Sequence, residues 1–220
     1  TPPTPPATSN AKGKKGKKGK AKLNNVNEVA KAAEAAPLPD VAITANKTSS
    51  LDPSNSALTL EAWIRGEQPS GVIFVHGAGL NGYGLALNNG KPEFMVCIDK
   101  TQTKITAPIG IDDNWHHLAG VLTAEKALKL FVDGQVAAEG KVESLFPHTP
   151  NKGISVAQAG GMFKGLPSFS GWIDLIRVSH SALTPEDAKS LFVSPAATLP
   201  ASAKTVLAWT FEDKTAKDSS

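Results

Sequence analysis

Twelve short stretches of apolar or alternating residues, divided by Gly, Asn, Asp and Pro, set the tightest limit on what this chain can become. They are VAITA (41–45), LTLEAWI (58–64), GVIFV (71–75), YGLALN (83–88), EFMVCI (93–98), KITAPI (104–109), WHHLAGVL (115–122), LKLFVD (128–133), VAAEGKV (136–142), ISVAQA (154–159), GWIDLIRVS (171–179) and VLAWTF (206–211). Short runs with turn signals between them at this spacing predict an all-β sandwich or barrel. In LTLEAWI the period is two: Leu58, Leu60, Ala62 and Ile64 share one face, Thr59, Glu61, Trp63 and Arg65 the other. Asn88-Asn-Gly90 and Asp133-Gly134 read as hairpin turns, because Asn, Asp and Gly tolerate the positive φ required. One short helix is expected through Phe192, with Thr184 as cap, Pro185 in its first position and Glu186 and Asp187 facing the dipole.

GVIFVHGAGLNGYG (71–84) imitates a dinucleotide fingerprint: Gly77, Gly79 and Gly82 fit G-x-G-x-x-G, and Asp99 follows at nearly the right distance. The fingerprint needs a helix directly after the glycines, so that backbone N–H groups meet the pyrophosphate. Only Tyr83 to Leu87 separate Gly82 from the next turn, so the stretch is expected to join two antiparallel strands. His76-Gly-Ala-Gly79 also imitates a lipase oxyanion loop, but no G-x-S-x-G elbow accompanies it.

Charge divides the chain. Of its 23 Lys and Arg, eight Lys lie within residues 1–37 beside two of the 20 acids, so that segment carries +6 and the remainder −3. TPPTPPATSN followed by AKGKKGKKGKAK has nothing to bury, and residues 1–37 read as a disordered Pro/Lys/Gly-rich linker; as an alternative, the lysines grip anionic polymers. No specific nucleic-acid partner is expected of the mildly acidic remainder. Cys97 is the only cysteine, which excludes an internal disulfide and paired-cysteine metal sites. No apolar run reaches the ~18–20 residues of a membrane span. The chain opens Thr-Pro-Pro without a charged-then-apolar signal segment, as expected of a piece of a longer processed or excised product.

Three stretches together resemble the LamG-like (concanavalin A-like) jelly-roll family of large secreted bacterial proteins, related to pentraxins and laminin G domains. Ala57-Leu-Thr-Leu-Glu-Ala-Trp63-Ile resembles its opening strand. Asn114-Trp-His-His-Leu-Ala-Gly120 with Leu128-Lys-Leu-Phe-Val-Asp-Gly134 resembles its hairpin, and Phe169-Ser-Gly-Trp-Ile-Asp174-Leu-Ile-Arg-Val178 with Ala182-Leu-Thr184 its closing motif. The likeness spans about residues 40–193. It implies a two-sheet antiparallel jelly-roll sandwich over 38–220, with one short helix. Residues 206–220 resemble the segment that normally opens such a module, so 200–220 is either a closing strand or the start of a second module.

The resemblance implies an extracellular, periplasmic or envelope location, and a non-catalytic carbohydrate- or protein-binding or adhesion module that works beside other domains of its polypeptide. A structural spacer without a ligand is the alternative. The fold also hosts glucanases and lyases. A retaining glucanase needs facing carboxyls ~5–5.5 Å apart, and the comparable strand, Gly171 to Arg177, holds no Glu. Trp63, Trp115 and Trp172 are expected in strands, filling the space between sheets or forming a sugar platform. His116 and His117, adjacent on a strand, point to opposite faces and cannot share a metal. Asp174, an acid in an apolar strand, is expected to be buried, and related modules use it toward structural calcium or a hydrogen-bond network. If the module binds a ligand, His76, Asn81 and an exposed Tyr83 on the glycine loop are its expected contacts.

Overall fold

A computed structural model of the chain describes residues 43–45, 49–194, 204–211 and 217–218. All of them lie in one compact unit, Ala36–Ser220. The expected linker, 1–37, lies outside the described residues. The strands are β1 (Ile43–Ala45), β2 (Leu58–Gly66), β3 (Gly71–Gly77), β4 (Gly82–Asn88), β5 (Lys91–Ile98), β6 (Thr101–Thr106), β7 (His116–Leu122), β8 (Ala127–Val132), β9 (Gln135–Lys141), β10 (Ile154–Val156), β11 (Gly171–Ser179), β12 (Thr205–Thr210) and β13 (Lys217–Asp218). Each of the twelve stretches overlaps one of the first twelve strands, although β6 begins three residues before its stretch, at Thr101. A single helix, α1 (Pro185–Val193), occurs among the described residues besides a 3-10 turn.

The strands form two antiparallel sheets, one ordered β1-β10-β3-β4-β5-β6 and the other β13-β12-β11-β2-β7-β8-β9. Strand alternation builds the core between them. Leu58, Leu60, Ala62 and Ile64 of β2 are wholly buried and meet Phe74, Leu85 and Phe94 from the opposite sheet. Each large side chain buried there contributes about 1.5–3 kcal/mol. Gly120 stands in β7 because Phe94 needs the room: a Cβ at that position would lie 2.2 Å from the ring. The hairpin turns are formed as their residues dictate, with φ of 51° at Asn89 and 76° at Gly90, and 51° at Asp133 and 74° at Gly134.

Both outer faces are partly roofed, which period-two alternation does not reveal. Over the six-stranded sheet, Met162, Phe163 and Leu166 from the glycine-rich connection between β10 and β11 pack on Val72, Val75, Ala86, Met95 and Cys97. Over the seven-stranded sheet, α1 lays Ala188 and Leu191 on Ala119, Val121 and Phe131. The helix starts as its sequence requires: Thr184 and Asp187 form a reciprocal capping box, with Pro185 in the first turn. At the C-terminal end, β12 pairs with β11 along Leu175↔Thr210 to Ser179↔Thr205, and Leu207 and Trp209 join the main core.

Candidate functional site

The glycine stretch is a hairpin. β3 and β4 pair antiparallel up to Gly77↔Gly82, and no helix follows the glycines. Its expected contact residues, however, face inward. Tyr83 is fully buried rather than exposed; its hydroxyl lies 3.0 Å from His76 Nδ1, and its ring packs on Phe74 and Phe146. Burial pushes the Tyr83 phenol well above its usual pKa. The signal was in the sequence: Tyr83, Leu85 and Leu87 share one phase of β4, and all three join the core. Asn81 is buried as well, its side-chain oxygen accepting the Asp99 N–H at 3.0 Å while its own N–H donates to Asn151 Oδ1 at 3.2 Å. At the tip, Gly79 and Leu80 are exposed. His76, Asn81 and Tyr83 therefore brace this end of the sandwich from inside.

Asp174 is also placed differently from expectation. The register of β11 against β2 shifts between Ile173 and Leu175, and this irregularity turns Asp174 out to solvent instead of burying it. Calcium takes six to eight oxygens. Among the described residues no three His, Cys, Asp or Glu side chains gather where they could hold a metal ion. Asp174 is an exposed carboxylate outside any such group.

Trp63, Trp115 and Trp172 lie outside the core between the sheets. Trp63 lies on the outer face of β2, between His117 (centroids 5.4 Å apart) and Phe192 (5.9 Å). Trp172 is half-buried beneath the Arg65 guanidinium, 4.1 Å from its ring centroid. Trp115 sits just before β7, 38% exposed. The fourth, Trp209, is buried.

The two histidines part as alternation requires. His117 is buried on the outer face, its Nε2 3.5 Å from Glu61 Oε1, and Arg177 Nη2 donates to the same oxygen at 2.6 Å. Burial pushes the Glu61 carboxyl up, but the His117 ring and the Arg177 guanidinium outweigh it and hold it below its usual value.

His116 turns the other way, into an open cleft of ≈ 440 Å³ lined by residues 107–112, Val132, Asp133 and residues 135–137. That volume lies within the range of small-molecule sites. His116 bridges two carboxylates, with Nδ1 2.8 Å from Asp133 Oδ2 and Nε2 2.8 Å from Asp112 Oδ1. A neutral imidazole carries one N–H, so two such contacts require the imidazolium. Burial pulls the ring pKa down, but Asp133 and Asp112 outweigh it, and it sits above its usual value. The Asn114 backbone N–H, with His116, holds Asp112 down at about 2.

Around these charges the cleft is greasy. Ile109 is 79% and Val136 43% exposed, and Trp115 immediately precedes His116. Ile111 and Asp112 also line a second cleft of ≈ 230 Å³, shared with residues 66–69, Leu87, Gly90 and Asp113. Sequence reading missed this site. Its one available signal was register: Leu118 opposite Val132 places the start of β7 beside the Asp133 turn.

Comparison with known proteins agrees with this architecture. No curated protein matches the chain in sequence. Among solved structures, a Bacteroides ovatus protein named only by inference as carbohydrate binding matches with a TM-score of 0.63 at 17% identity, over 83% of this chain and 54% of that one. The heptameric SAP-like pentraxin of Limulus polyphemus matches at 0.52 and 15% identity, over 74% and 81%. The binding domain of Paraclostridial Mosquitocidal Protein 1 matches at 0.55 and 18%, over 70% of this chain but only 41% of that one, so the chain spans about two fifths of its length. These likenesses show the fold. No helix among the described residues is long and apolar enough to cross a membrane. The model of the concanavalin A-like lectin/glucanases superfamily matches residues 40–189, and the chain belongs to that family.

Proposed function

We propose that this chain is a non-catalytic binding module of a larger secreted or envelope protein, and that the cleft around His116 receives its ligand, a glycan. One observation carries the reading. Of the five large apolar side chains exposed among the described residues, Ile109 and Val136 line this cleft and Trp115 adjoins it. Apolar side chains beside carboxylate acceptors suit a sugar, which offers a C–H face to the former and hydroxyls to the latter. The second cleft across Asp112 gives a longer glycan somewhere to continue. The names of the Bacteroides ovatus protein and of the toxin binding domain support a binding role on this fold, with a protein ligand as the other member of that class.

Catalysis is disfavoured by the same geometry. A glycosidase acid needs a carboxyl with a raised pKa, and Asp112 is held low instead. The His116 ring also fills the gap between Asp112 and Asp133, where a scissile bond would have to sit.

The test is a glycan array followed by calorimetry on the best binder, with Ile109→Ser/Val136→Ser for comparison. The expected outcome is at least a tenfold loss of affinity in the double variant with an unchanged unfolding midpoint. A chain that retains no glycan on the array would be a protein-binding module or a spacer.

A further inference from the structure

We infer that His116 is a pH-operated latch at this cleft: protonated, it ties the 112–115 turn to the β8–β9 hairpin, and neutral, it lets that turn go. What this means for a ligand rests on reading the cleft as the binding site; the latch itself belongs to the free chain.

The argument is one of hydrogen counting. Asp112 lies on the connection between β6 and β7, and Asp133 in the turn between β8 and β9; both stand 2.8 Å from the one ring. Among the described residues neither forms an ion pair with Lys or Arg, so His116 is the cation that joins them. Lys189 of α1 backs the same hairpin turn against Gly134 without pairing with Asp133. On its own strand, the neighbouring His117 faces away, toward Glu61. Once the ring loses a proton it keeps a single N–H, and one of its nitrogens presents a lone pair to a carboxylate oxygen.

The geometry also decides which contact breaks. Asp133 is fixed independently: its Oδ1 accepts the His117 N–H at 2.9 Å, and its own N–H donates to the His117 carbonyl at 2.8 Å. Asp112 has a largely exposed side chain, otherwise bonded only within its turn, to the Asn114 backbone N–H and side-chain amide at 2.9 Å each. The remaining proton therefore stays on Nδ1 toward Asp133, and Asp112 is released. Upstream, the Ile111 N–H to the Gly90 carbonyl at 2.8 Å and the Ala107 N–H to the Pro92 carbonyl at 2.9 Å hold the rest of the cleft wall. Release is confined to the turn that carries Asp112, which lines both clefts, and Trp115. The sign follows from the carboxylates' preference for the charged ring: the latch is closed below the ordinary histidine pKa near 6.5 and opens as pH rises through the higher value of the folded ring.

The test uses the ligand-free chain. NMR follows the His116 ring from pH 5.5 to 8.5, alongside amide protection at residues 112–115 corrected for intrinsic exchange. Protection should fall roughly two- to five-fold as the ring titrates, the span of a partly exposed ion pair. Asp112→Asn should flatten that dependence, because an amide oxygen accepts from the charged ring and an amide N–H donates to the neutral one. His116→Gln should flatten it too, at a lower level of protection. Wild-type protection that stays level through the ring titration, or an Asp112→Asn chain that keeps the full drop, would overturn the latch. Neither result bears on whether the cleft binds a glycan, and a failure to bind one leaves this titration unchanged.

Discussion

His116 and His117 are consecutive, and they open onto two regions built on opposite terms. His117 belongs to the roofed face, where Glu61 and His117 are 1% and 0% exposed, Arg177 is largely buried, and Trp63 and α1 close over the group. His116 belongs to the open cleft, where its partner Asp112 is solvated. In the first region a lost partner leaves a charge that water cannot reach. In the second, water replaces whatever is lost. The same residue type is therefore structural on one side of the strand and adjustable on the other, and substitutions in the two regions should differ by several-fold in their cost to stability.

The sharpest way to break that contrast is Arg177→Met. It removes the guanidinium 2.6 Å from Glu61 Oε1 and leaves a carboxylate that is 1% exposed without its main cation. The expected loss is about 3–5 kcal/mol, read as a lowered denaturant midpoint. Adding Glu61→Gln should recover part of it, since the stranded charge is then gone. A loss under ~1 kcal/mol for the single change would mean that the face is wetter than its burial indicates.

The same carboxylate gives the roofed face an acid limit. Glu61 is held below its ordinary value near 4.5, so its contribution is fully present above that pH and disappears as pH falls through its lower folded value. Stability measured from pH 6 to 3 should therefore fall more steeply in the wild type than in Glu61→Gln. Equal slopes would remove Glu61 as the cause.

The roof itself offers a smaller lever. Thr184→Ala deletes the side chain that accepts the Asp187 N–H at 3.1 Å and undoes the capping box of α1. About 1 kcal/mol should be lost. If α1 shields the Glu61 group as its packing implies, hydrogen exchange should quicken at His117 and Ala119 while β5, in the opposite sheet, keeps its rate.

How much of this was legible in the sequence varies with the range of the interaction. Period-two alternation marked the strands, because each inward residue must be apolar whatever it faces. The same period carried Tyr83 inward with Leu85 and Leu87, although the neighbouring glycines suggested a loop exposed to solvent. The irregularity that turns Asp174 outward adds no residue type of its own, so the local sequence does not announce it. Glu61 and Arg177 stand opposite each other across β2 and β11, 116 residues apart, a pairing that only the sheet order fixes. Met162 and Phe163 sit among glycines in what reads as a plain loop, yet they are anchors for one roof. The cleft draws on three separate stretches, and the residues that make it, Asp112, His116 and Asp133, carry no motif of their own.

The smallest expected effect is the one that gives the comparison its functional meaning. Ile109 is 79% exposed, so replacing it with Ser removes almost no buried surface, and the unfolding free energy should change by no more than about 0.5 kcal/mol. A residue with so little part in stability is nonetheless a large aliphatic group held out in water at the cleft wall, with Val136 also exposed in the same lining. On the roofed face Trp63, Leu191 and Phe192 all have protein against them; at the cleft, on the proposed reading, the complementary surface comes from the ligand. Ile109→Ser should therefore weaken glycan retention several-fold while leaving the midpoint of unfolding where it was. The reverse pattern, a destabilised chain that still binds, would place Ile109 with the roofed face in kind and move the binding surface away from His116.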